Sequence, residues 1–364
     1  MSDSVRRWQF AVGSVARKLL PTVTCQLLTG VLVSFPATAQ VTEKISVERV
    51  IIDARVTDDH GEPITDLAVK DFRVRIDGKP VKVESVEWIP ETAAARGLAS
   101  IGTQEESPDP DKQPAPAGRL IVFFIQTDFA RNAVRIGGQM HIMENADHLV
   151  ESLEPEDKVA VFQYDSHLKF RLDFTNDQGR IKGAVRDALA IDEPNEPPVV
   201  PNPSLRTHLH RDDMMKAGSP EKGLIVLGNA LRSIPGPKSL VLFGWGLGER
   251  VAHQVLMRPE YPIVRYVLDA ARVSVFAMDI TQADYHDLAF GLSTAANDTG
   301  GFYASTFRFP QMAFNLLERA LQGHYELEVR KPEKKVLGTR TIEVDVNRRN
   351  ASVMARSTYI ESGD

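Results

Sequence analysis

Apolar and polar residues recur along this chain at two different spacings, and the points where the spacing changes divide it. Near the start, Val47, Val50, Ile52, Ala54 and Val56 sit among polar neighbours in near-strict alternation, the spacing of a strand with one buried face. Asp58-Asp59-His60-Gly61 supplies a turn. FRVRID and PVKVESVEWI then flank Asp77-Gly78, the dipeptide that closes tight β-hairpins. Residues 41–90 therefore read as antiparallel strands, and 91–118, rich in Ala, Gly, Pro and acids, as a linker or exposed loop.

From Arg119 the pattern becomes that of alternating strands and helices. Ile121–Ile125 is an unbroken apolar run, as expected of a strand buried on both faces of a parallel sheet. Ile136, Met140, Met143, Ala146, Leu149 and Leu153 then recur at three- and four-residue intervals, which predicts an amphipathic helix. KVAVFQYD predicts the next strand, LKFRLDF an edge strand beside it, and Thr175 or Asn176 the N-cap of a helix running to Leu189. Further strands are expected at KSLVLFG, VSVFAMD and FYAS. Helices are expected at GLIVLGNALRSI, Pro259–Val273, DYHDLAFGLSTAANDTGG and PQMAFNLLERAL. This alternation predicts an α/β fold over 119–322, a doubly wound, mostly parallel sheet with helices on both faces.

One stretch interrupts it. Asp192–Lys222 has five prolines within Pro194–Pro203 and no periodicity, and reads as an insertion loop. After residue 322, HYELEVR, TRTIEVDVN and ASVMARSTYI return to alternation and predict three strands over 323–364. They need partners, and the strands of 41–90 are the available ones. The two ends are expected to meet in a small antiparallel β subdomain.

Composition places the chain in a cellular context. With 43% hydrophobic and 25% charged residues over 364 positions it is globular, and long enough for a sizeable core. Residues 1–39 have the form of a secretory signal peptide: Arg6, Arg7, Arg17 and Lys18, then the apolar stretch Leu19–Phe35, then the small-residue site Ala37-Thr38-Ala39. A retained anchor helix is the alternative, which Pro21 and Gln26 disfavour. Cleavage leaves no membrane insertion and a periplasmic, cell-envelope or extracellular protein. The one cysteine, Cys25, lies in that segment, so disulfides, thiolate catalysis and Cys-ligated zinc are excluded from the remainder. The net charge of −6, more negative still without the basic leader, argues against nucleic acid as a partner.

The carboxyl end of the Ile121–Ile125 strand, Gln126-Thr127-Asp128-Phe129-Ala130, lies at the edge where open α/β sheets place their ligands. At this point the chain resembles a family. VIIDARVTDDHGEPITDLAVKDFRVRIDGKPV, the segment Leu149–Asp165, DTGGFYAS and HYELEVR with Tyr359 together resemble bacterial exported proteins of the acidobacterial type with a von Willebrand factor A-type domain, over essentially the whole chain after the leader. The resemblance implies a metal-ion-dependent adhesion site for Mg²⁺ or Mn²⁺, built from Asp-x-Ser-x-Ser, a loop Thr and a Thr-Asp-Gly, and a protein ligand. Here the first motif aligns with Gln126, Asp128 and Ala130, the Thr with Ile225, and the Thr-Asp-Gly with Gly244-Trp245-Gly246. An amide, a methyl and apolar groups stand where hard cations want oxygen ligands, so a degenerate, metal-free site is expected.

The expected function is thus a non-enzymatic, protein-binding module of adhesion or scaffold type, without a cofactor. Phe129 and Trp245 would either project as contact residues or fold over and fill the space of the lost ion. Three competitors remain: a metal-dependent module using Asp128 and Asp279, a hydrolase using His208, His210, Asp212 and Asp213, and a scaffold with no ligand of its own. Gly244–Gly248 lacks the spacing and context of a dinucleotide loop. Asp165-Ser166-His167 reads as a turn, and His286 and Asp287 as the start of a helix.

Overall fold

The computed structural model describes residues 48–92, 95, 118–128, 140, 142, 146–190, 192–201, 203–252, 254–332 and 337–361, all within the unit Val47–Asp364. The leader with Cys25 and nearly all of the 91–118 linker lie outside the described residues.

Six strands form the central sheet: β5 (Leu120–Gln126), β6 (Lys158–Tyr164), β7 (Leu168–Thr175), β8 (Lys238–Gly244), β11 (Val273–Asp279) and β12 (Tyr303–Ser305). Their order is β12-β11-β8-β5-β6-β7, parallel throughout except for the antiparallel edge strand β7. The apolar run of β5 explains its central place. Val122 and Phe124 face one core and Ile121, Phe123 and Ile125 the other, all six of Leu120–Ile125 being buried. On the first face pack α3 (Pro220–Leu231), α4 (Tyr261–Ala270) and α5 (Ala289–Asp298). On the second pack α1 (Gln178–Asp187), α6 (Pro310–Ala320) and helical residues 146–150.

The strands outside 119–322 form two further sheets. One has the order β15-β1-β13-β4, from Ser352–Ala355, Arg49–Thr57, Gly323–Arg330 and Val83–Pro90. The other has the order β16-β14-β2-β3, from Thr358–Glu361, Gly338–Val346, Phe72–Ile76 and Lys79–Val81. Each interleaves N-terminal with C-terminal strands, and residues of both enclose one apolar cluster around Ile52, Ile76, Tyr325, Leu327 and Tyr359. Tyr325 is wholly buried, edge-on to Phe72 and Trp88, with its hydroxyl donating to the Ile64 carbonyl and accepting from the Leu67 N–H. Asp77 and Gly78, both at positive φ, make the predicted hairpin turn between β2 and β3.

Several expectations are corrected. ASVMARSTYI is two strands, β15 and β16, because the chain crosses at Arg356 from one outer sheet to the other. PVKVESVEWI is likewise split into β3 and β4. The N-cap of α1 is Asp177, whose carboxylate accepts the Arg180 N–H, while Thr175 and Asn176 bond elsewhere. Along the first helix Met140 is exposed and Ile142, Ala146, Leu149 and Val150 are buried. Ala146, Leu149 and the partly buried Leu153 of the expected stripe thus face the core, with Ile142 in place of Met140; Ile136 and Met143 lie outside the described residues. Asp192–Lys222 is not a bare loop. It contains α2 (Arg211–Lys216) and the first turn of α3, and it buries Leu205, Leu209 and Met214 in the core of the first face. Asp173 holds it there, accepting from the Leu205 N–H and the Ser204 hydroxyl. Within 244–258, β9 (Glu249–Val251) and β10 (Gln254–Leu256) make an unforeseen small hairpin. No helix of the described residues is long and apolar enough to cross a membrane.

Candidate functional site

The strand order reverses at β5: the chain leaves it for β6 on one side and later returns to place β8 on the other. Ligand crevices of open α/β sheets lie at such switch points, beyond the carboxyl ends of the two strands. Here those ends are Gln126-Thr127-Asp128 and Gly244-Trp245-Gly246.

The two ends are bonded to each other. Gln126, 2% exposed, directs its side-chain oxygen at the loop after β8, accepting the N–H groups of Trp245 at 3.1 Å and Gly246 at 3.4 Å. Two backbone donors on one atom fix it as the oxygen of the amide. Gly244 makes the approach possible, since a Cβ there would stand 2.8 Å from that oxygen. Trp245 then folds back: its indole N–H donates to the Asp128 carboxylate at 2.5 Å, and its ring packs against the second-face core. Trp245 is thus half-buried and folded over the crevice rather than projecting from it. Thr127 is pinned as well, its N–H donating to the Tyr164 carbonyl at 2.7 Å and its hydroxyl accepting from Gln163 at 2.8 Å.

A further participant, Glu221, was not foreseen. Ser219 caps α3 by accepting the Lys222 N–H at 3.2 Å, and Pro220 occupies its first turn, so Glu221 sits where a helix favours a carboxylate. It is fully buried, accepts the Gly248 N–H at 2.6 Å and lies 3.5 Å from the Arg258 guanidinium. The signal was Ser219-Pro220-Glu221, a cap, a proline and an acid in the order that starts a helix. Tyr164 feels the charge of both acids. Burial pushes its phenol well above the usual range, and the Asp128 and Glu221 charges push it further, so it remains a neutral hydroxyl.

This closed arrangement places the remaining candidates apart. Ile225 is not at the crevice. It lies a turn beyond Glu221, about 6 Å further along the axis, half-buried beside a surface cleft. Asp279 is on β11, two strands from β5, a separation of about 10 Å. Its buried carboxylate accepts the Thr281 N–H at 2.9 Å and the Tyr303 hydroxyl at 2.7 Å, and pairs with His286 Nε2 at 2.6 Å. His286 and Asp287 precede α5 rather than begin it, and Asp287 pairs with Arg250. Phe129 and Ala130 lie outside the described residues. His208, His210 and Asp213 line the same cleft as Ile225. Among the described residues, no three His, Cys, Asp or Glu side chains are grouped so as to hold a metal ion.

Chemically, the crevice presents a hydrogen-bonded closure. Three backbone donors of one loop, at 245, 246 and 248, are received by side-chain oxygens from β5 and α3. No protein-family profile matches this chain, and no curated protein does. Among solved structures, it is similar to the PilB minor pilin from Streptococcus sanguinis, at 14% identity and a TM-score of 0.38, over 59% of this chain and 63% of the pilin. It is similar to proximal thread matrix protein 1 from the mussel byssus, in a form with a zinc-occupied MIDAS motif, at 14% identity and a TM-score of 0.38, over 60% of this chain and 49% of that protein. A third likeness is to BatB from Bacteroides thetaiotaomicron, at 10% identity and a TM-score of 0.37, over 56% of this chain and 97% of that one. This chain thus spans less than two thirds of the pilin and about half of the byssus protein. Scores this low decide neither family nor activity.

Proposed function

We propose that this chain is an exported, non-enzymatic protein-binding module. In this reading residues 119–322 are a doubly wound von Willebrand factor A-type domain, 41–90 and 323–364 form its β subdomain, and the adhesion site works without a metal ion. One observation carries the proposal: the Gln126–Trp245–Asp128 closure. An open adhesion site keeps a coordination position free for the partner's carboxylate. Here Gln126 is neutral and its oxygen receives two N–H groups, while Asp128 accepts an indole donor. What remains for a partner is the rim. Val251 and Leu256 on the hairpin after β8, and Tyr285 and Phe290 beyond β11, are exposed by 47, 48, 79 and 56%, and apolar side chains held out to solvent suit protein contact.

The test is calorimetric titration of Mg²⁺ and Mn²⁺ into the purified protein, followed by capture from a native envelope extract. The expected result is no heat from either ion, and a captured protein that is lost with the Leu256→Ser, Phe290→Ser double variant. A dissociation constant below about 1 mM, abolished in Asp128→Ala, would replace this reading with a metal-dependent module.

A further inference from the structure

We infer that a trough along the outer flank of α3 is a binding site for short acidic peptides with alternating carboxylate and aliphatic side chains. The trough goes beyond the rim described above and does not depend on it.

The segment before α3 does more than cross the surface. Residues 203–217 lie against the first-face core through Leu205, Leu209 and Met214, and α2 then runs beside α3. The groove left between them is a cleft of about 630 Å³, within the size range of small-ligand sites. Its floor is the outer stripe of α3, where Ile225 and Val226 are half-buried and Asn229 follows one turn later. Its rim carries basic side chains: His208, His210, Lys216 and Lys222. A second hollow of about 610 Å³ shares Thr207 and His210 with the first, so the two form one elongated trough. Pro197, Pro198 and Val199 supply an apolar wall there, and Val199 is 63% exposed.

Charge selects the occupant. The chain as a whole carries −6, yet the first cleft sets two lysines and two histidines against one carboxylate, Asp213, and in the second hollow Glu196 is offset by its partner Arg206. Lys216 has no carboxylate partner among the described residues, and Lys222 has only the 3.4 Å contact to Glu260 across an exposed surface. Exposed pairs of this kind are weak and readily exchanged for another carboxylate. His210, the N-cap residue of α2, makes no side-chain bond to the helix backbone and lines both hollows. An extended peptide has the matching pattern, because successive side chains point to opposite sides. Aliphatic residues would meet Ile225 and Val226 while carboxylates meet the rim. A basic or purely polar segment would leave one of the two features unmatched.

The test uses the full chain and fluorescence anisotropy with labelled Glu-Leu-Glu-Leu-Glu-Leu, against Lys-Leu-Lys-Leu-Lys-Leu as control. The expected result is saturable binding of the acidic peptide only, weakening as salt rises toward roughly 0.5 M because exposed charges are screened. Lys216→Glu with Lys222→Glu should weaken it by roughly tenfold. Both positions are exposed, so the fold is preserved and circular dichroism checks it. Ile225→Ser should weaken it independently, while Leu256→Ser with Phe290→Ser should leave it unchanged, which separates the trough from the rim. Equal binding of the basic peptide, binding indifferent to the charge reversal, or no binding would overturn the proposal. So would charge-dependent association with phosphatidylglycerol vesicles in the absence of peptide binding, which would make the cationic rim a lipid surface instead.

Discussion

The indole N–H of Trp245 donates to the carboxylate of Asp128 across 2.5 Å, tying together the ends of β8 and β5 at the point where the strand order reverses. A charged acceptor makes this a strong bond for a neutral donor. Trp245→Phe keeps most of the ring packing and removes only the donor. It should cost about 1–2 kcal/mol in urea unfolding. In a double-mutant cycle with Asp128→Ala, a coupling of about 1 kcal/mol is expected. A coupling near zero would mean that the indole–carboxylate bond adds no stability and that the loop after β8 is held by its packing and by the Gln126 and Glu221 acceptors.

Gln126 should matter more than its partner count suggests, because its oxygen is buried and serves two backbone donors. Gln126→Ala strands the N–H groups of Trp245 and Gly246, at about 1–3 kcal/mol for the desolvated groups. Gly244→Ala attacks the same contact from the other side by placing a methyl 2.8 Å from the oxygen, and overpacking of this kind costs about 1–3 kcal/mol. The two effects share one contact and should not add. A double variant with Gly244→Ala is expected to be barely worse than Gln126→Ala alone, as read by chemical denaturation.

How much of this was legible in the sequence follows from the range of the forces involved. The strands of the central sheet could be read from unbroken apolar runs, and the pairing of the two ends followed because alternating strands on both sides of the α/β unit had no other partners. Burial and period are local signals, and they were sufficient there. The breaks at Lys82 and Arg356 were not legible, since alternation continues through both and only the tertiary arrangement decides that the chain changes sheets. Asp192–Lys222 was misread because its prolines hide a segment whose anchors, Leu205, Leu209 and Met214, have no regular spacing. At the crevice, Gln126, Asp128 and Trp245 were identified from their place at the strand ends and from the resemblance to the family's site motifs. Their mutual bonds were not, because β5 and β8 are far apart in sequence. Glu221 was missed although its cap, proline and acid were in plain order, and Ile225 was placed at the crevice by matching the family's loop Thr to this segment.

Behind the central sheet, Arg272 joins it to the outer sheet that contains β1 and β13. Its guanidinium contacts Asp53 at 2.5 and 3.1 Å and Glu326 at 2.6 Å. Burial raises the Asp53 carboxyl, but the Arg272 hydrogen bond and the His324 and Arg272 charges outweigh it and hold the group below the usual carboxylate range. A depressed acid stabilises the fold above its unfolded value, and that contribution is lost as pH falls through the folded one. Arg272→Met leaves two carboxylates without their cation and should cost about 3–5 kcal/mol at pH 7. At pH 4 the loss should be smaller, because the buried Asp53 of the variant, without its cation, takes up a proton that relieves its burial, while the wild-type carboxylate, held below the usual range, is still ionised. A loss that grows on acidification would mean that Arg272 acts through packing instead of charge.

Lys238 offers the opposite sign. It is 3% exposed at the start of β8, and burial first, then the Arg272 charge, lowers its ammonium from 10.5 to about 7, with Asp53 opposing. Below pH 7 both folded and unfolded chains hold the proton, and the cost of burying the charge is present in full. Between about 7 and 10.5 the unfolded chain holds more protons, so stability rises with pH, by at most about 1.4 kcal/mol per unit. Lys238→Met does not titrate, and it removes the donor to the Gly236 and Ala271 carbonyls, a loss that does not vary with pH. The stability of the variant minus that of wild type should therefore be most favourable at pH 6 and decline steadily to pH 9. A difference that stays flat over that range would show that the two carbonyls, at 2.7 and 2.8 Å, keep the ammonium charged in spite of its burial.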